Sequence, residues 1–266
     1  MPHGKRIEPM HLGLIGYGNI GQALTRRISP DLLPHLTVLQ RRASEAVEGI
    51  TFVQDINALI DASPDIVVEC AGHAAAKAYL LPLVNAGIPV ISASLGVFSD
   101  AAFHEDITAA AQASGTSVII PTGAIGGLDI LRALARTPDL TVEYQGIKPP
   151  QAWKGSPAET VLNLDRLTDR EVFFSGTARE AAATYPKNAN VVAALALAGP
   201  GFDAVQVELI ADPAAPGNIH SYAVTSPVCH YQMTVENEAS AGNARTSETT
   251  ILSLLSEVEA FAQGQG

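Results

Sequence analysis

His11-Leu12-Gly13-Leu14-Ile15-Gly16-Tyr17-Gly18-Asn19-Ile20-Gly21 joins a short apolar run to a G-x-G-x-x-G turn, and Ile20–Ile28 continues with apolar side chains at helical spacing. The order strand, glycine turn, helix gives the motif its weight, because the glycines alone recur widely. Gly16 permits the tight turn, Gly18 lets the backbone approach a pyrophosphate, and Gly21 lets the helix pack close on the strand. The helix start adds unpaired N–H groups and a partial positive charge where phosphates sit. Asn19 and Ile20 therefore join the three glycines as expected dinucleotide contacts.

Outward from this turn, short β-rich runs alternate with Ala- and Leu-rich segments, the rhythm of a parallel sheet wound with crossover helices. The spacing predicts strands at His11–Ile15, Leu36–Leu39, Thr51–Val53, Ile66–Cys70, Val90–Ser92 and Val118–Ile120. Helices fall at Ile20–Ile28, Ile56–Asp61, Ala74–Ala86 and Ala101–Ser114, with Asp100 as N-cap of the last. This is a doubly wound, Rossmann-type half. The second strand ends in Gln40-Arg41-Arg42, where such folds usually carry an acidic residue for the ribose. An arginine there pairs with a 2′-phosphate, so Arg41, with Arg42 beside it, makes NADP an expected cofactor and leaves NAD permitted. Both arginines also read as ordinary solvated charges. At the end of the fourth strand, Glu69-Cys70-Ala71-Gly72-His73 faces the crevice where open α/β sheets bind ligands. Ala71 and Gly72 are small enough to pass near a nicotinamide ribose, and His73 reads as a cofactor contact, a helix-start residue or a merely exposed side chain, the plain readings being favoured.

After Pro121–Gly127 the pattern changes. A helix at Leu128–Arg136 precedes strands at Leu140–Tyr144, Ala204–Ile210, Ile219–Thr225 and Val228–Val235, with further helices at Ala178–Tyr185 and Ala189–Ala198. Strands in series with helices set apart predict an α+β domain with a mixed or antiparallel sheet. Ser247–Ala262 reads as an amphipathic helix, with Ile251, Leu254, Leu255 and Val258 on one stripe. The expected organisation is a dinucleotide domain over 1–124 to which 240–266 returns, and a substrate and dimerisation domain over 125–239.

The chain has 266 residues, 47% of them hydrophobic, which suffices for two cores. A net charge of −11 with no basic run argues against nucleic acid and anionic membranes as partners. Any anionic substrate then needs a local cationic pocket. Met1–Met10 lacks the apolar core of a secretory signal, and no stretch is long and apolar enough to span a bilayer. Cys70 and Cys229 are too few and too far apart for a disulfide framework or a zinc site. A soluble, cytoplasmic protein without a metal is expected.

Six stretches together are far more specific than the glycine motif. They are Glu69-Cys70-Ala71-Gly72-His73, Ser94-Leu95-Gly96-Val97, Gly123-Ala124-Ile125-Gly126-Gly127-Leu128-Asp129, Lys148-Pro149-Pro150, Tyr185-Pro186-Lys187-Asn188-Ala189-Asn190-Val191 and Asn218-Ile219-His220. Through them the chain resembles the L-aspartate dehydrogenase family over nearly its whole length. The resemblance implies that Ala124 and Asn190 contact the dinucleotide and that His220 is the catalytic residue. It also implies a homodimer and a role in making iminosuccinate for pyridine nucleotide synthesis. The missing acidic residue at Gln40-Arg41-Arg42 departs from the family and bears on the choice of cofactor.

The implied chemistry is loss of a hydride from the α-carbon of L-aspartate, then attack of water on the imine to release ammonia and oxaloacetate. Such a path needs a group that exchanges protons, and histidine titrates in the right range. Alternation in Ile219-His220-Ser221-Tyr222 puts His220 and Tyr222 on one face. A lone strand histidine also reads as a structural hydrogen-bonder. The substrate carboxylates call for Lys148, beside the Pro149-Pro150 pair, or Lys187, with Asn188 as a further substrate contact; surface lysines and helix-capping asparagines are the plain alternatives. Two other functions keep the glycine motif: a Rossmann dehydrogenase or reductase for a semialdehyde, sugar or cyclic imine, and a non-enzymatic dinucleotide sensor.

Overall fold

The computed structural model describes residues 9–42, 45–237, 239–240 and 243–264. The chain divides into two compact units, one running to Pro121 and resuming at Ile251, the other Thr122–Thr250. In the first, β1 (His11–Ile15), α1 (Asn19–Thr25), β2 (His35–Leu39), β3 (Ile50–Val53), α2 (Ile56–Asp61), β4 (Ile66–Glu69), α3 (His73–Asn85), β5 (Val90–Ser92), α4 (Ala101–Ser114) and β6 (Val118–Ile119) follow one another. The six strands are all parallel in the order β3-β2-β1-β4-β5-β6. Strand order reverses between β1 and β4, and ligands of such sheets bind beyond the carboxyl ends of the strands at that point. Leu12 and Leu14 of β1 and Ile66, Val67 and Val68 of β4 are fully buried, as a sheet covered on both faces requires.

The second unit opens with α5 (Leu128–Leu134) and continues through β7 (Thr141–Lys148), β8 (Glu171–Thr177), α6 (Ala178–Thr184), α7 (Ala189–Ala198), β9 (Val205–Ala211), β10 (Asn218–Thr225) and β11 (His230–Asn237). Its sheet runs β11-β10-β7-β9-β8, with β7 and β9 parallel and the other neighbours antiparallel, so it is mixed. Alternation sorts the faces: Val142, Tyr144, Val207, Leu209, Tyr222 and Val224 are buried, while Glu143, Gln206 and Thr225 are exposed. α7 packs against β9 and α5, and its run over 192–196 is wholly buried, as a helix apolar all round must be. A two-stranded ladder, β12 (Ala239–Ser240) and β13 (Asn243–Ser247), leads into α8 (Glu248–Ala262). Ser247 Oγ accepts from Thr250 N–H at 3.4 Å at the start of α8. Leu254 and Val258 then join Leu12, Leu14 and Leu24 in the core of the first unit.

Asp100 caps α4 as expected, its carboxylate accepting from Phe103 N–H. Other boundaries differ. α1 ends at Thr25 rather than Ile28, because Arg27 N–H bonds to Leu24 O and tightens the last turn. β7 runs four residues beyond Tyr144, which places Lys148 on the strand itself. β11 starts at His230 rather than Val228; Val228 is 73% exposed in the turn, whose N–H groups at 228 and 229 are held by Ser226 Oγ. β8 is an addition to the expected strands: its polar ends and exposed residues mask the pattern of an edge strand. Among the described residues no helix is long and apolar enough to cross a membrane, and no group of three or more His, Cys, Asp or Glu side chains is placed to hold a metal ion.

Candidate active site

In the first unit, the β1–α1 turn, the end of β2 and the start of α3 enclose a cavity of about 790 Å³. Gly16, Gly18, Arg41 and Ala71 all line it, together with Tyr17, Gln40, Arg42 and Cys70. The three glycines differ in what they do. Gly16 has φ +92°, and a Cβ there would sit 2.8 Å from the Ala71 methyl. A Cβ on Gly21 would lie 2.5 Å from Gly16 O, so this glycine serves the packing of α1 on its own turn. A Cβ on Gly18 would meet no atom within 4 Å. Nothing in the protein requires glycine there, and the open space is what a bound group would fill. Asn19 and Ile20 form the first turn of α1, with Ile20 packed against the core.

Glu69, absent from the expected site residues, organises the next loop. Its carboxylate is fully buried and accepts from Ala71 N–H at 2.8 Å, Gly72 N–H at 3.0 Å and Ser92 Oγ at 3.2 Å. Burial pushes its pKa up against these hydrogen bonds. The loop is thus held from beneath, with Ala71 exposed to the cavity and its N–H already engaged. His73 is the first residue of α3.

In the second unit, Tyr144, Gly146 and Lys148 share one face of β7, and His220 of β10 pairs directly opposite Gly146. The missing side chain at 146 leaves room between a phenol and an ammonium for the imidazole. Tyr144 OH lies 2.7 Å from His220 Nδ1, with the two rings stacked at 6.0 Å. Lys148 Nζ donates to Asn188 Oδ1 at 2.5 Å and stands 4.9 Å above the Trp153 ring. Trp153, the only tryptophan, is fixed by Nε1 donating to Ile210 O at 2.9 Å. Three expected residues, His220, Lys148 and Asn188, are therefore brought together. The titration expected of His220 is not what the structure shows. Burial, aided by the Lys148 charge, pulls its pKa down to about 3, so the ring is neutral at physiological pH. Burial likewise lowers Lys148 to about 8 and raises Tyr144.

Asn188 is at the N-cap position of α7 but makes no capping hydrogen bond; its side chain is spent on Lys148. Asn190 is exposed in the first turn of α7. The side chain of Lys187 lies outside the described residues. Ala124 also belongs to the second unit, buried in a segment tied to the sheet: its carbonyl accepts from Asn237 Nδ2 at 3.0 Å, and Gly126 O accepts from Tyr222 OH at 2.8 Å. Gly127 has φ +73°, and a Cβ there would collide with the Tyr222 hydroxyl.

Residues 129–261 match the family model described as aspartate dehydrogenase, C-terminal, and residues 16–121 match that of the homoserine dehydrogenase NAD-binding domain. The chain is 42% identical over 259 residues to the L-aspartate dehydrogenase of Ruegeria pomeroyi, covering 96% of this chain and 92% of the relative. It is 45% identical over 193 residues to that of Pseudomonas aeruginosa, covering 72% of each. The crystal structure of aspartate dehydrogenase from Thermotoga maritima superposes with a TM-score of 0.77 at 28% identity, over 95% of this chain and 96% of that one.

The chain belongs to the aspartate dehydrogenase family. Members are nicotinamide-dependent oxidoreductases, and the first unit of this aspartate dehydrogenase family member fits a dinucleotide on its own geometry. The turn at Gly16 is left-handed, the space over Gly18 is open, and the cavity continues past Arg41 and Arg42 at the end of β2.

Proposed function

We propose that the protein oxidatively deaminates L-aspartate with a nicotinamide dinucleotide, and that His220 is its catalytic residue. One observation carries the reading: a half-buried lysine and a neutral histidine stand on one sheet face beside Gly146, with Asn188 fixing the lysine. In an acidic protein this is the kind of local cation a dicarboxylate requires. The α-carbon loses a hydride and the neutral amine a proton, forming the C=N bond of iminosuccinate; water adds to that carbon, the C–N bond breaks, and oxaloacetate and ammonia leave. When bound, the oxidised nicotinamide accepts the hydride. Lys148 holds a substrate carboxylate with the N–H groups not given to Asn188, and Asn188 keeps its ammonium in place. His220 enters as a neutral imidazole and exchanges protons with the adding water and the departing ammonia.

The dinucleotide contacts assigned here are Gly16, Gly18, Asn19, Ile20, Gly21, Arg41, Ala71, Gly72, Ala124 and Asn190. Arg41 and Arg42 support NADP as a usable cofactor beside NAD. Family resemblance supports the remaining parts of the reading: a homodimer, a cytoplasmic site of action, and supply of iminosuccinate to pyridine nucleotide synthesis, with 125–239 as the substrate and dimerisation domain. The test is formation of reduced dinucleotide from L-aspartate by parent and His220→Ala. Loss of general acid–base catalysis lowers turnover by about 10² to 10⁴-fold, with cofactor affinity and melting unchanged. Near-parental turnover in the variant, or no aspartate-dependent reduction in the parent, overturns the assignment.

A further inference from the structure

We infer that Tyr144 is the positioning residue of His220, setting it as the Nε2–H tautomer so that the imidazole meets its substrate as a neutral hydrogen-bond donor. The inference rests on the reading above for the importance of His220, and on geometry for the tautomer. Tyr144 is two residues from Gly146 on β7 and reaches diagonally across it, its hydroxyl 2.7 Å from Nδ1. The glycine is what allows this, because a Cβ at 146 would lie 2.8 Å from that hydroxyl.

Tyr144 is only 3% exposed, so its O–H must find an acceptor inside the protein. Among the described residues, Nδ1 is the acceptor in reach. The phenol therefore donates to the Nδ1 lone pair, and a neutral ring must then carry its hydrogen on Nε2. The opposite arrangement, Nδ1–H donating to the phenol oxygen, would strand the hydroxyl hydrogen in the core, which buried donors rarely tolerate. Burial and the neighbouring Lys148 charge both oppose the doubly protonated ring. A carboxylate in place of Tyr144 would do the reverse, accepting from Nδ1–H and stabilising the cation. With Nε2–H foremost, His220 meets the substrate by hydrogen-bond donation to an oxygen, next to the donors of Lys148.

The experiment is ¹⁵N NMR of the full-length protein, free of substrate, with labelled histidine, the His220 signals being assigned by their loss in His220→Gln. The expected spectrum shows a protonated Nε2 and a bare Nδ1. In Tyr144→Phe both tautomers become populated and kcat falls about tenfold, while KM for the dinucleotide stays at the parental value. A parental spectrum with Nδ1–H overturns the inference, and so does a Tyr144→Phe variant whose tautomer and kcat are unaltered. Should that variant fail to fold, the parental spectrum still decides. Because the spectrum is of the free protein, it holds or fails whether or not aspartate is turned over, which keeps it separate from the assignment of the reaction.

Discussion

Replacing Gly18 by alanine separates cofactor binding from folding at a single methyl group. Gly18 has φ −84° and ψ −156°, a conformation open to any residue, and its added Cβ meets nothing within 4 Å. Alanine at this helix N-cap costs about 0.5 to 1 kcal/mol, and the loss of unfolded-state freedom returns about 0.4 to 1 kcal/mol. The two nearly cancel, so the melting temperature should stay within error of the parent. A pyrophosphate held against the bare backbone has no such freedom to yield, and crowding a close-packed contact with one methyl costs about 1 to 3 kcal/mol. Dinucleotide affinity should therefore fall roughly 5- to 150-fold, read by calorimetric titration of NAD and NADP beside a thermal melt. Gly21→Ala differs in losing stability as well. Its Cβ would sit 2.5 Å from Gly16 O, a backbone atom, so this variant should lose about 1 to 3 kcal/mol of stability. Parental affinity in Gly18→Ala, or a parental melt in Gly21→Ala, would refute the division of labour among the glycines.

Three further outcomes are expected. Changing Arg41 and Arg42 together to Ala should raise KM for NADP more than for NAD, by the about 1.5 to 3 kcal/mol of a lost charge-assisted contact; equal effects on both cofactors count against a 2′-phosphate site. Lys148 is held at about 8 by burial, so the free protein loses this cation as pH rises through that value. Inhibition by succinate, a dicarboxylate without an amine to titrate, should weaken above about pH 8 in the parent, and Lys148→Met should be weak and flat across the range; a parental profile in Lys148→Met removes the lysine from the substrate site. Asn190→Ala should weaken dinucleotide binding without lowering the melting temperature, and an early melt with normal binding would make Asn190 a helix-start residue only.

The parallel sheet is legible in the sequence because burial on both faces and glycine turns leave strong local signals, as in the 11–21 stretch and the apolar run over 66–68. His220 and Tyr222 on one face also follow from period-two alternation, and the structure buries both. What escapes is long-range. Tyr144 reads as one more strand aromatic until pairing sets Gly146 opposite His220, and register is not written in either strand alone. The alternation Tyr144, Gly146, Lys148 is the available signal, and a strand ended at Tyr144 obscures it. Glu69 looks like a strand-end charge, and only burial reveals it as the clamp on Ala71 and Gly72. The titration of His220 departs from expectation for the same reason: ordinary values hold for solvated rings, and this one is 7% exposed beside a cation.

The return of α8 has a consequence for how the protein is made. Leu254 and Val258 belong to the same core as Leu12 and Leu14, so the first unit to leave the ribosome is the last to be completed. All of Thr122–Thr250 must be synthesised in between, which at about 5 to 20 residues per second takes on the order of ten seconds. During that interval the nascent sheet carries an uncovered apolar patch where α8 will dock. The order of synthesis and the order of folding are thus opposed in this chain, and a nascent chain halted before Ile251 would present that patch to chaperones rather than a finished nucleotide-binding unit.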